Sequence, residues 1–240
     1  MNIDKLSVLI PCYNEEATIL EILRRVTAAL ERNAPVGEVI VVDDCSTDNT
    51  LALVEAYTQN QHGVTFKVIE SAANQGKGAA IRKGIPQITG DYVIIQDADL
   101  EYDPDDYEDL LIPILKADAD AVYGSRFVGS KPHRVLLFWH FLGNKFLTFL
   151  SNMLSNLNLS DMEVGLKVFR TSLLQQLKLK ESSFGFEPEV TAKISKVPRI
   201  KIYEVGISYY GRTYDEGKKI TWKDGFRALY CIVKYNLFTR

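Results

Sequence analysis

In "IIQDADLEYDP", Ile94 to Pro104, an apolar run gives way to Asp97, Asp99, Glu101 and Asp103, one carboxylate at every second position with no Lys or Arg among them. Carboxylates at i and i+2 can converge on one hard cation, and a magnesium or manganese ion held by one or two of them keeps open positions for phosphate oxygens. The chemistry this spacing points to is a metal ion carrying a diphosphate. The plainer role of such acids is to form turns and cap helices. Asp103 before Pro104 has that form, an N-cap followed by proline at the first helical position.

Three further polar clusters each follow a short apolar run: "PCYNEE" from Pro11, "DDCSTDNT" from Asp43 and "SAANQGKGAA" from Ser71. The runs predict strands at Leu6–Pro11, Glu38–Asp44, Val64–Glu70, Asp91–Asp97 and Ala119–Ser125. Helix-length segments lie between them at Glu15–Arg32, Asp48–Gln59, Lys77–Ile85 and Pro104–Lys116. Such alternation implies βαβ crossovers and an α/β fold, a mostly parallel sheet covered by helices on both faces. Ligands of such sheets sit at the carboxyl ends of the strands, where four successive strands here deliver their unusual residues. "NQGKGAA" lacks the G-x-x-x-x-G-K-[ST] of a P-loop, and "PCYNEEAT" lacks the glycines of a dinucleotide fold.

The 240 residues contain no Pro/Gly/Ser-rich linker, low-complexity tract or internal repeat, so one domain over residues 1–240 is expected. With 28 Lys+Arg against 31 Asp+Glu, no uniformly basic surface invites nucleic acid. Cys12, Cys45 and Cys231 have no C-x-x-C spacing, which fits a reduced, cytoplasmic protein. The apolar run in "MNIDKLSVLIP" is too short for a secretory signal. Val135 to Leu154 carries His140, Asn144 and Lys145 in its middle, costly in hydrocarbon, and reads as one or two amphipathic helices. Lys131 to Ser160 holds Lys131, Arg134 and Lys145 and no acid, and nine Lys/Arg face four acids from Val197 to Arg240. With "LLFWHFL" and "ALYCIVKYNLF" interleaved, these are either solvated helix faces or interfacial helices, at 131–160 and 221–240, lying on anionic lipid.

The chain resembles the family 2 glycosyltransferases of the GT-A fold, with its Rossmann-like sheet. More narrowly it is similar to the dolichyl- or polyprenyl-phosphate mannose synthases and their relatives. The matching motifs are "PCYNEE", "VVDDCSTD", "NQGKGAA", "DADLE", "GSRF" and "YYGRTYDEGKKI", spread over residues 8 to 220. No apolar span follows Arg240, as in the branch without C-terminal transmembrane helices. The resemblance implies that Pro11, Tyr13, Glu15, Val42 and Asp44 hold the nucleoside, that Lys77 belongs to the donor site, that Ala98 and Asp99 lie against the diphosphate, and that Asp97, Asp99 and Glu101 are the metal ligands. It makes Arg126, Arg212 and Lys218 the cations that clamp phosphates. Glu101 stands where some relatives have Gln, and "DMEVGLK" where "DMETCYK" is expected.

What the resemblance implies is an inverting, Mg2+- or Mn2+-dependent transfer of a hexose, mannose or glucose. The donor is a nucleotide-sugar of the GDP-mannose or UDP-glucose type, and the acceptor a polyprenyl or dolichyl phosphate at the cytoplasmic face of a membrane. A phosphate monoester, with a second pKa of about 6, attacks unaided at neutral pH, whereas a sugar hydroxyl needs a general base. Two acidic pairs offer one, Asp161 with Glu163 and Glu187 with Glu189, and Asp161 and Glu189 are the expected contacts to sugar or acceptor. Asp99, Arg126, Asp161 and Glu189 thus form the expected catalytic set. A saccharide or protein acceptor, and a nucleotide-sugar-binding protein without turnover, are the alternatives. Guanine and uracil are not distinguished at this level.

Overall fold

The computed structural model describes residues 3–59, 63–135, 137–213 and 222–239. Five strands fall where the apolar runs place them: β1 (Lys5–Cys12), β2 (Val36–Asp43), β3 (Val64–Glu70), β4 (Tyr92–Ile95) and β5 (Ala121–Ser125). Two more, β6 (Lys167–Arg170) and β7 (Ile202–Gly206), have sequences too short and too charged to announce themselves. The sheet order is β3-β2-β1-β4-β6-β5-β7. All pairings are parallel except those of β6, which runs antiparallel to both β4 and β5. That reversal places the start of β6 at the edge where the other strands end. The residues just before Lys167 therefore reach the site.

Four helices follow the first strands: α1 (Ile19–Asn33), α2 (Thr50–Thr58), α3 (Lys77–Gly84) and α4 (Tyr107–Ala117). In α1 the buried Ile19, Ile22, Leu23, Val26, Ala29 and Leu30 recur at helical spacing and form its core stripe. The two faces of the sheet are assigned by two glycines. A side chain at Gly37 of β2 would meet Leu30 of α1, whereas one at Gly84 of α3 would meet Leu9 and Val42. Successive strand residues point to opposite faces, so the odd-numbered Gly37 and the even-numbered Val42 put α1 and α3 on opposite sides.

The remaining helices are α5 (Phe138–Ser155), α6 (Thr171–Gln176), α7 (Phe186–Ile194) and α8 (Trp222–Leu237). The stretch expected to form one or two amphipathic helices is thus one helix, α5, and no described helix is long and apolar enough to cross a membrane. α8 packs on both α5 and α7. It is tied to the chain before α7 through Glu181, which accepts from Tyr235 (2.6 Å), Arg227 Nε (3.0 Å) and Lys234 (3.2 Å).

At the amino end of the sheet, Glu38 of β2 is fully buried but fully engaged. It accepts from Ser7 Oγ (2.6 Å), Thr89 N (3.0 Å) and Thr89 Oγ1 (2.7 Å), and pairs with Lys67 (2.8 Å) and Lys5 (3.3 Å). Burial works against its charge, but Lys67, Ser7 and Thr89 win and hold its carboxyl down at about 2.

Candidate active site

At the opposite, carboxyl end lies a cavity of about 990 Å³. The ends of β1, β2 and β4 supply Pro11, Tyr13 and Glu15, then Asp44, then Asp97, Ala98, Asp99 and Glu101, and all of them line it. Their loops are braced by side chains rather than by regular structure. Both Asp44 oxygens accept from the backbone N–H of Gln75 (3.1 and 3.0 Å), and Oδ2 also accepts from Gly76 (2.6 Å), which fixes the loop leading into α3. Buried Gln96 accepts from Tyr107 (2.9 Å) and donates to the Asp97 carbonyl (3.0 Å), stiffening the start of "DADLE".

Within that motif each carboxylate already has a cationic neighbour. Lys77, at the N-terminus of α3, sits 2.8 Å from Asp97 and 3.0 Å from Glu187. Burial disfavours the Lys77 charge, but those two acids hold its ammonium above the ordinary lysine range. Arg212 lies 2.6 Å from Asp99, 3.5 Å from Glu101 and 3.9 Å from Glu15. Its backbone N–H donates to Glu101 (2.9 Å), and Tyr209 donates to the other Glu101 oxygen (3.1 Å). Even so, burial, followed by the charges of Asp97 and Glu101, pushes the Asp99 carboxyl up to about 7.

These positions test the metal expectation. Asp97, Asp99 and Glu101 all face the cavity, yet among the described residues they do not gather into a three-carboxylate ligand cluster. Asp97 is drawn away to Lys77. The pair that converges on a single cation is Asp99 and Glu101, and the cation between them is the Arg212 guanidinium. Oxygen-only donors from one or two carboxylates suit Mg2+ or Mn2+, so the residues fit such an ion. Charge points the same way: even setting aside Asp99 and Glu163, whose carboxyls are pushed up to about 7 and about 8, the lining among the described residues carries six other carboxylates against three cations, unfavourable for any phosphate without added positive charge.

Several expected site residues are placed elsewhere. Val42 is fully buried against α3 and does not reach the cavity. Asp161 is also fully buried. It holds Arg126 in a bidentate pair (Nε 2.6 Å, Nη2 2.7 Å) and does not line the cavity, although Arg126 does. Burial opposes the Asp161 charge, but Arg126 keeps the carboxyl below its ordinary value. Arg126 is therefore a paired cation that touches the site. Glu189 is buried too and accepts from the N–H of Lys180 (2.8 and 2.9 Å) and Glu181 (2.7 Å), a brace for the loop before α7. Lys218 lies outside the described residues.

The other member of each acidic pair faces the cavity instead. Glu163, in the loop before β6, and Glu187, in the first turn of α7, both line it. Glu163 Oε1 and Glu187 Oε2 are buried with no hydrogen-bond partner among the described residues. Burial, then the Glu187 charge, pushes the Glu163 carboxyl up to about 8. Lys167 behind them is fully buried and does not line the cavity, and burial brings its ammonium down to about 8. Helical geometry could have flagged one choice: residues two apart on a helix point to nearly opposite sides, so only one of Glu187 and Glu189 can face a site. Which one depends on where α7 packs. In the departure from "DMETCYK", Gly165 leaves room for Asp97, since a Cβ there would lie 2.2 Å from its Oδ2.

The cations of residues 131–160 are engaged by the protein. Lys131 pairs with Asp106 (3.1 Å) and Asp109 (2.7 Å), Lys145 donates to the Ser160 carbonyl (3.1 Å), and Arg134 donates to that of Gly211 (3.0 Å). The large side chains that α5 and α8 expose are mainly apolar: Trp139 is 77 % and Trp222 72 % exposed, and both also line the cavity.

The fold is of the GT-A type, with a cluster of acids at its strand ends. Residues 7–178 match the family described as glycosyl transferase family 2, and the chain belongs to it. It is 28 % identical over 89 % of its length to dodecaprenyl-phosphate galacturonate synthase of Rhizobium johnstonii. It is 29 % identical over 92 % of its length to the low-salt glycan biosynthesis hexosyltransferase Agl6 of Haloferax volcanii. The chain spans 61 % and 51 % of the lengths of these two relatives. A solved structure of glucosyl-3-phosphoglycerate synthase from Mycobacterium tuberculosis, in complex with Mn2+, UDP and phosphoglyceric acid, superposes with a TM-score of 0.74. That likeness, at 19 % identity, covers 99 % of this chain and 80 % of the other, and establishes the shared fold.

Proposed function

We propose that this chain transfers a hexose from a nucleoside-diphosphate sugar to a polyprenyl phosphate, with Mg2+ or Mn2+ bound at Asp99. The observation that carries the reading is the cavity's composition. Strand-end acids suited to a metal diphosphate form one wall, and the other is formed by two helices whose exposed aromatic faces run from the cavity to the surface. The names of the two relatives, one a dodecaprenyl-phosphate galacturonate synthase and one a hexosyltransferase, support the acceptor and the reaction class.

In this reading Pro11, Tyr13, Glu15 and Asp44 hold the nucleoside and Ala98 and Asp99 face the diphosphate, supported by their all lining the cavity. A bound divalent ion would neutralise charge growing on the leaving diphosphate. Arg212, now spread over Asp99, Glu101 and Glu15, is in reach to exchange those carboxylates for a phosphate, to which its bidentate fork is suited. The acceptor is a phosphate already ionised at neutral pH, so no general base is required, consistent with Asp161 and Glu189 being braces.

Membrane contact rests on Trp139, Trp222 and their neighbours on α5 and α8 rather than on lysines, because the cations of residues 131–160 are held by the protein. The test is nucleoside diphosphate release from GDP-mannose, UDP-glucose and UDP-N-acetylglucosamine, with Mg2+, with and without polyprenyl phosphate. Lipid-dependent release and label transfer to the lipid are expected. Transfer to free sugar hydroxyls with indifference to the lipid would overturn the acceptor. Vesicle binding should weaken about tenfold or more in a Trp139→Ser, Trp222→Ser double variant and respond little to salt.

A further inference from the structure

We infer that Glu204, on the edge strand β7, is a positioning residue for Arg126: it fixes the loop that carries Asp161, and Asp161 fixes the guanidinium that lines the cavity. The inference rests on the transfer reading above, with Arg126 as a cation that meets substrate phosphate there. The two Glu204 oxygens accept from the backbone N–H of Ser160 (2.8 and 3.0 Å), and one of them also accepts from that of Asp161 (3.1 Å). Glu204 is half-buried, and burial pushes its carboxyl up. Partly burying a carboxylate is costly, and among the described residues no lysine or arginine pairs with this one. What the chain gains is geometry: two consecutive amides are pinned to one side chain.

From there the contacts run inward. Asp161, fully buried, accepts from Arg126 Nε (2.6 Å), Nη2 (2.7 Å) and backbone N–H (3.2 Å). The Arg126 guanidinium also lies over the Tyr209 ring, 5.2 Å from its centroid. A bidentate pair is directional, so a shift of Asp161 carries the guanidinium with it. The sheet explains why the three residues meet. Tyr123 of β5 is in register with Glu204 of β7, so Arg126, just beyond β5, and Glu204 are built on the same strand pair, and the loop before β6 folds across to join them. A displacement of about 1 Å in a group that orients substrate can cost 10²-fold in rate, which is why a bracket this far from the cavity matters to turnover.

The experiment is a double-mutant cycle on the full chain with Mg2+, following label transfer from nucleotide-sugar to polyprenyl phosphate. Glu204→Gln keeps the size but sets an amide NH2 against one of the backbone donors. Arg126→Lys keeps the charge and loses the fork. The kcat and the KM for each substrate are measured for the parent, both single variants and the double variant, with melting temperature reporting the fold. Arg126→Lys should change at least one of these constants about tenfold or more. Glu204→Gln should change the same constant about fivefold to tenfold and leave the others alone. The double variant should match Arg126→Lys by itself, whereas the losses in melting temperature of the two substitutions are free to add. Which KM moves tells whether the phosphate is the donor's or the acceptor's. If Arg126→Lys does not fold, Asp161→Asn takes its place in the cycle with the same expectation. Kinetic losses that multiply in the double variant, a Glu204→Gln change in a different constant, or no kinetic change in either single variant overturns the inference and leaves the transfer reading standing. Absence of label transfer by the parent overturns both.

Discussion

Glu38 and Glu163 are both carboxylates enclosed by the same sheet, one at its amino end and one at its carboxyl end, yet they are built in opposite ways. Glu38 meets donors at both oxygens and is held at about 2, whereas Glu163 keeps an oxygen without a partner among the described residues and is pushed up to about 8. A scaffold satisfies the polar groups it buries, because each orphan costs stability. A site leaves them open for the ligand. The same contrast separates Glu189, fully engaged with the backbone of Lys180 and Glu181, from Glu187, two residues away and half engaged with Lys77.

The sharpest separation of the two ends comes from Asp99→Ala. Turnover should fall about 10³-fold or more as metal and diphosphate lose their anchor. The melting temperature should hold or rise, since a buried carboxyl pushed up by Asp97 and Glu101 is relieved. Nucleoside diphosphate release at saturating Mg2+, paired with a thermal melt, checks both halves; undiminished release would remove Asp99 from the metal site.

Glu38→Ala should do the reverse, costing about 3 kcal/mol in urea titrations while the remaining folded protein keeps its turnover. The acid limb adds a sign. Folded Glu38 titrates at about 2, below its unfolded value of 4.5, so its contribution is complete above the unfolded value and is lost as pH falls from there towards the folded one. Glu38→Gln should flatten the stability curve over that window.

Glu189→Gln should cost about 1–2 kcal/mol by weakening the brace on Lys180 and Glu181 and change turnover by less than about tenfold. A 10²-fold loss without destabilisation would return it to the catalytic set.

The smallest effect is expected for the stability of Glu163→Gln. Its folded carboxyl, at about 8, lies above the unfolded 4.5, so the folded state holds a proton the unfolded chain has lost, and stability declines as pH rises between those values. The variant should melt about 3 °C above the parent near pH 8 and close to it near pH 4.5. Equal melting at both pH values would break the contrast with Glu38.

The strand-end clusters were legible before any fold was in hand. Apolar runs of the right length ended in "PCYNEE", "DDCSTDNT" and "DADLE", and parallel strands must deliver such ends to one edge. β6 was not, since "KVFR" carries two charges in four residues and its place depends on pairing with β4 and β5 across long sequence separations. Missing β6 meant missing the loop before it, and with it the choice of Glu163 over Asp161.

Local pattern was therefore enough for the alternation of strand and helix, the family, and the acids at Asp97, Asp99 and Glu101, because periodicity and turn chemistry are properties of neighbouring residues. It could not choose between members of an acidic pair, or say that Lys131 and Lys145 turn towards the protein while Trp139 and Trp222 face out. A carboxylate becomes a brace or a ligand-facing group according to which distant donors the fold sets beside it. Asp161 meets Arg126 from the end of β5, Glu189 meets the backbone before its own helix, and Glu163 and Glu187 keep an oxygen that no described residue completes.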